Sequence, residues 1–127
     1  MSTKFYLTIS AIVTILFALG FLLIPETMIV LFGSLVEPHV VMTLRFWGGT
    51  ALGMGIIFWF ARDLRDWDAV RGVLIGHAVA LVVISPVVIW ATLQGFLNRL
   101  AWGVVVLNLV WLFGALYCLS TGSRKMV

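Results

Sequence analysis

Four apolar stretches, each about as long as a bilayer core is thick, run through this chain: Phe5 to Ile24, Val40 to Ala61, Ala69 to Leu93 and Leu100 to Ser120. About 20 apolar residues in an α-helix span the roughly 30 Å of hydrocarbon. Lipid offers the backbone no hydrogen-bond partner, so segments of this kind must be helical. Charged residues make up 10% of the chain, against about 25% in a soluble domain. So few charges cannot cover a water-exposed surface. The expected fold is all-α: an integral membrane four-helix up-down bundle, forming one transmembrane domain over residues 1–127.

The breaks between the stretches set topology. The first run is longer than the apolar core of a signal peptide and ends at Pro25-Glu26, so it is expected to be a retained spanning helix. Lys4, Arg62, Arg65, Arg71, Arg124 and Lys125 fall on one side, and Arg99 alone on the other. The positive-inside rule then puts both termini in the cytoplasm. Trp59 and Trp67 fall near the inner interface, Trp90 and Trp102 near the outer one. The charges of Arg62 to Asp68 read as a solvated turn, and Asp68 as a cap for the third helix. Between the first two stretches, Pro25 suits a first helical turn, and Glu26 and Glu37 lie about three turns apart on one face. A short amphipathic surface helix is expected over about residues 26–37, with an irregular loop as the alternative.

The second stretch carries Gly49 and Gly53, and the third Gly72 and Gly76. Small residues four apart let helices approach closely in lipid. They are expected to pack the second and third helices together, or to make a contact with another chain. Pro86 interrupts the backbone ladder of the third helix, and Ser85 is placed to satisfy a freed carbonyl near Val82. Cys118 is the one cysteine, which excludes an intrachain disulfide.

Pro25-Glu26, Leu31-Phe32-Gly33, Pro38, Arg45, Gly48-Gly49, Gly53 and Ala61-Arg62 resemble the pattern of small four-helix bacterial inner-membrane proteins of the domain-of-unknown-function kind. The resemblance covers the first half of the chain. It implies a four-helix bundle and no activity.

Polar residues inside apolar stretches are costly and mark candidate sites. Arg45 lies roughly 8–10 Å below the outer end of its helix, Asn108 about 12 Å below the outer end of the fourth, and His77 about 12 Å above the inner end of the third. Together they are candidates for one polar track, with Trp47 and Trp111 as apolar walls. Arg45 also has a structural alternative, an ion pair with Glu26 or Glu37 that pins the surface helix.

Absences narrow the classes of function. No paired His/Glu motif at helical spacing, no glycine-rich phosphate loop and no Ser-His-Asp set occurs, so no metal, cofactor or catalytic residue is expected. Basic residues form no run, which argues against nucleic acid. Three readings remain open. One is a non-enzymatic accessory, assembly or stabilising subunit acting through helix packing, as a homo-oligomer or within a larger membrane complex, with membrane lipid around it. Another is a binder or carrier of a small amphiphile or anion around Arg45. The third is an intramembrane enzyme with His77 as base.

Overall fold

A computed structural model describes residues 2–122, which form five helices and no strand: α1 Thr3–Leu23, α2 Pro25–Leu31, α3 Pro38–Ala61, α4 Trp67–Leu93 and α5 Ala101–Thr121. All but α2 are long and apolar enough to cross a membrane. Arg124 and Lys125, used above for orientation, lie outside the described residues.

Local chemistry sets the helix ends. Ser2 Oγ accepts from Phe5 N–H at 3.2 Å and opens α1. Asp66, not the expected Asp68, caps α4: its carboxylate accepts from Asp68 N–H at 3.0 Å, leaving Asp68 in the first turn. Pro25 and Pro38 stand at the starts of α2 and α3, where the missing N–H costs nothing. Gly33 and Gly95 have φ of 77° and 78°, the left-handed backbone that glycine adopts freely. Each closes its helix with the paired bonds of a Schellman turn: Ser34 N–H to Ile29 O and Gly33 N–H to Val30 O, then Phe96 N–H to Ala91 O and Gly95 N–H to Thr92 O.

The Gly33 turn corrects the expected surface helix. It ends after seven residues instead of running over 26–37. Glu37 therefore does not share its face with Glu26; it sits at the N-cap position of α3. In α4, Pro86 leaves the helix continuous, and Ser85 Oγ donates to Leu81 O at 2.7 Å, one carbonyl before Val82.

Packing is dominated by two pairs, α1 with α3 and α4 with α5, while α3 and α4 barely touch. The close approach of α1 and α3 runs through Gly48 and Gly55. A Cβ on Gly48 would stand 3.0 Å from Ala18 O and 3.1 Å from Leu22 N; one on Gly55 would stand 2.6 Å from Ile15 Cγ1. Gly49, Gly53, Gly72 and Gly76, expected to join the second and third spanning helices, meet nothing within 4 Å. The reason is angular. At about 100° per residue, Gly48 and Gly55 point almost the same way, and Gly49 and Gly53 are rotated off that face.

The core gathers at the end where α1 and α4 start. Leu7, Ala11, Phe58, Val70, Leu74, Ala115 and Cys118 are all buried there. At that end Lys4 Nζ lies 2.7 Å from Asp63 Oδ1, and Arg62 Nε lies 3.2 Å from Asp63 Oδ2. The Arg62 guanidinium also stacks 3.4 Å over the Trp59 ring. These charges tie the start of α1 to the end of α3, so the loop is more than a solvated turn. The Lys4 and Arg62 hydrogen bonds hold the Asp63 carboxyl below its usual range.

Candidate functional site: a cleft between the helix pairs

Sparse contact between the two pairs leaves a cavity of about 640 Å³ in the half of the bundle beneath α2. Walls come from α1 (Phe17, Phe21), α3 (Leu44, Trp47), α4 (Ile84, Val88) and α5 (Leu107, Trp111). A second cavity of about 460 Å³ adjoins it through Thr14, Trp47, Ala51, His77, Leu81 and Ile84, which line both. Phe46 and Thr50 line this part and are exposed, so it opens between α3 and α4. Each cavity by itself lies within the roughly 300–1,000 Å³ typical of small-molecule sites.

The roof is α2, with Met28, Ile29 and Phe32 facing the cavity. It is fastened by Asn98 of the connector between α4 and α5. Asn98 N–H donates to Phe32 O and its Nδ2 to Leu31 O, both at 2.8 Å, while its Oδ1 accepts from Leu100 N–H at 2.9 Å. One side chain thus satisfies a carbonyl at the end of α2 and an N–H at the start of α5, groups that helix ends leave open.

The floor is a hydrogen-bonded cluster drawn from three helices. Tyr6 Oη lies 3.0 Å from Trp111 O and 3.0 Å from His77 Nδ1. The Phe58 ring stacks on His77 with centroids 4.5 Å apart. A carbonyl can only accept, so Tyr6 donates its single proton to Trp111 O, and His77 Nδ1–H then donates to Tyr6 Oη. In the neutral ring this leaves Nε2 as an acceptor, without a hydrogen-bond partner among the described residues. His77 is 8% exposed and lines both cavities.

Asn108 stands one turn before Trp111 on α5 and also lines the larger cavity. Its Nδ2 is buried and has no hydrogen-bond partner among the described residues. Leaving such a donor unmade costs about 1–3 kcal/mol. The hydroxyls of Thr43 and Thr50 are spent within α3, on His39 O at 2.8 Å and Phe46 O at 3.1 Å.

The cleft therefore brings together His77, Asn108, Trp47 and Trp111. It does not include Arg45, which is exposed, lines neither cavity and forms no ion pair among the described residues. Arg45 is turned roughly 60° from Gly48 around α3, past the edge of the face that meets α1. The expected pair with Glu26 or Glu37 is absent: Glu37 Oε2 lies 3.3 Å from His39 Nδ1. Sequence reasoning missed Tyr6 and Asn98. Tyr6 is 71 residues from His77, and Asn98 is 67 from Leu31, separations at which no local spacing carries a signal.

Among the described residues, no Asp, Glu, Lys or Arg lines either cavity. No set of three metal-ligating side chains occurs among the described residues. The chain matches no known protein family, no curated protein and no solved structure.

Proposed function

We propose that this chain is a multi-pass protein of the bacterial inner membrane that holds a small, uncharged, largely apolar molecule in the cleft between its helix pairs. The carrying observation is an apolar cavity of about 640 Å³ between the helix pairs, bordered by few polar side chains, His77 and Asn108 among them. Apolar walls and few convergent polar groups are the usual make-up of a ligand site. A cavity without charge disfavours an ionised ligand, because a charge buried without a partner is costly. Arg45 therefore drops out of the binder reading, and the anion with it.

Contacts at both ends support an up-down bundle. Lys4 meets Asp63, the Trp67 ring abuts Gly122, and Asn98 meets Leu31 at the other end. Lys4, Arg62, Arg65 and Arg71 against Arg99 favour cytoplasmic termini. The opening between α3 and α4 would then face lipid, the natural source of an apolar molecule. The test is native mass spectrometry of the protein extracted in lipid nanodiscs. A small bound mass that disappears in Ala51→Phe, which fills the cleft, is the expected result. A bare chain in both cases refutes the reading.

A second reading has its own observation. Gly49, Gly53, Gly72 and Gly76 present open small-residue faces on α3 and α4, the kind of surface against which a partner helix or a second copy packs. An accessory or assembly subunit would use them. An added protein mass in the same experiment, lost in Gly49→Leu or Gly76→Leu, favours it.

A further inference from the structure

Outside the cleft, Arg45 is a cation on an apolar face. It is the only Asp, Glu, Lys or Arg within α3, and it is exposed. Met42 and Phe46 beside it are 74% and 77% exposed. A charge among lipid-facing residues is costly unless an anion meets it. The protein supplies none: Arg45 takes part in no ion pair and no side-chain hydrogen bond among the described residues. Glu37, the nearest carboxylate along α3, is about two turns away at the N-cap. Its Oε2 lies 3.3 Å from His39 Nδ1.

Depth says where the anion is. Trp59 and Arg62 mark the membrane boundary at the far end of α3. About 20 helical residues cross the hydrocarbon, so the other boundary falls near Val40. The Arg45 backbone is then about 8 Å inside it. Helical side chains lean toward the N-terminus of their helix, and that end of α3 is the near boundary. The methylenes of Arg45 therefore stay in hydrocarbon while its guanidinium rises to the level of the lipid phosphates. We infer that Arg45 holds the phosphate of an anionic phospholipid of the phosphatidylglycerol class, in the leaflet on the α2 side. Its planar fork matches two phosphate oxygens. The space over Gly49, one turn deeper and open around it, leaves room for an acyl chain. Phosphatidylethanolamine offers the same phosphate but adds an ammonium that the guanidinium repels.

Native mass spectrometry of the protein released from nanodiscs of equal parts phosphatidylglycerol and phosphatidylethanolamine reads this directly. The parent is expected to retain phosphatidylglycerol in preference. That preference falls about fivefold in Arg45→Gln, the factor one basic side chain adds at an anionic surface. Arg45→Lys, which keeps the charge and loses the fork, falls between the two. Ala51→Phe, which fills only the cleft, keeps the preference, so this site stands or fails apart from the binding function proposed above. An unchanged preference in Arg45→Gln overturns the assignment. Equal loss of both lipids overturns the selection for an anionic head. A two-chain mass that depends on Arg45, with lipid retention unchanged, gives the residue to a second copy and also overturns it. Where Arg45→Gln does not fold, Arg45→Lys decides: a preference equal to the parent's overturns the fork on phosphate.

Discussion

The two halves of this bundle use similar residues to opposite ends. Near Lys4 and Asp63, Ala11, Ala61 and Ala115 let the helices close around Phe58, Leu7 and Leu74, and the interior is filled by protein. Beneath α2 the α1–α3 pair and the α4–α5 pair draw apart around a cavity, and His77 and Asn108 stand among its apolar walls. In lipid, apolar surface alone does not drive helices together; close packing and hydrogen bonds do. Between the pairs, the closed half has Ala11, Ala61 and Ala115, whereas the open half presents Phe17, Leu44, Trp47 and Val88. Bulky wall residues hold it open, and α2 with Asn98 roofs it.

One substitution made in both halves gives the largest contrast. Ala115→Phe forces a ring into filled space and is expected to cost about 3 kcal/mol or more, read as thermal unfolding in detergent. Ala51→Phe enters the cleft and is expected to leave stability within about 1 kcal/mol while abolishing ligand binding. Equal losses at the two sites would erase the distinction between the halves. Adjacent glycines sharpen it next. Gly48→Leu meets the backbone of Ala18 and Leu22 and should cost about 2–3 kcal/mol. Gly49→Leu meets nothing and should leave the isolated chain within about 0.5 kcal/mol in the same unfolding assay.

The boundary between the halves is Tyr6. Tyr6→Phe removes the proton that satisfies Trp111 O and the acceptor for His77 Nδ1–H, at a cost of about 1–2 kcal/mol. It also frees the imidazole to turn, so ligand binding in the cleft should fall together with stability. A variant as stable as the parent, and binding as tightly, would show that the relay holds nothing in place.

The smallest effect lies at the exposed rim. Asp63 is held below its ordinary value of 3.8 by hydrogen bonds from Lys4 and Arg62. A depressed folded-state value adds stability above the unfolded value and loses it as pH falls through the folded one. Asp63→Asn should therefore lower the unfolding temperature slightly at neutral pH, with the difference fading below about pH 3.8. High salt should shrink it as well, because both partners are largely exposed.

How much of this was legible in the sequence follows the same division. Helix positions were readable because bilayer thickness fixes length and Pro25, Pro38, Gly33 and Gly95 mark ends. Their packing was not. Gly48 and Gly49 are adjacent and equally small, and only the three-dimensional crossing of α3 over α1 decides which is buried. His77 and Asn108 were visible as polar residues out of place, whereas their surroundings depend on Tyr6 and Trp111, brought in by other helices. Arg45 misled because its proximity to Gly48 suggested a protein-facing side chain, although a rotation of roughly 60° suffices to turn it outward.

Contact between a bound chain and the two halves tests the central claim most directly. Protonated octadecanol, added to deuterated protein with labelled methyl groups in deuterated-lipid nanodiscs, would be followed by intermolecular nuclear Overhauser effects. The account predicts effects to Ile84, Val88 and Leu107 in the cleft, none to Leu7, Val70 or Leu74 in the closed core, and loss of the cleft set in the plugged variant Ala51→Phe. Effects confined to the outward-facing Val82 and Val106, unchanged by that plug, would contradict it.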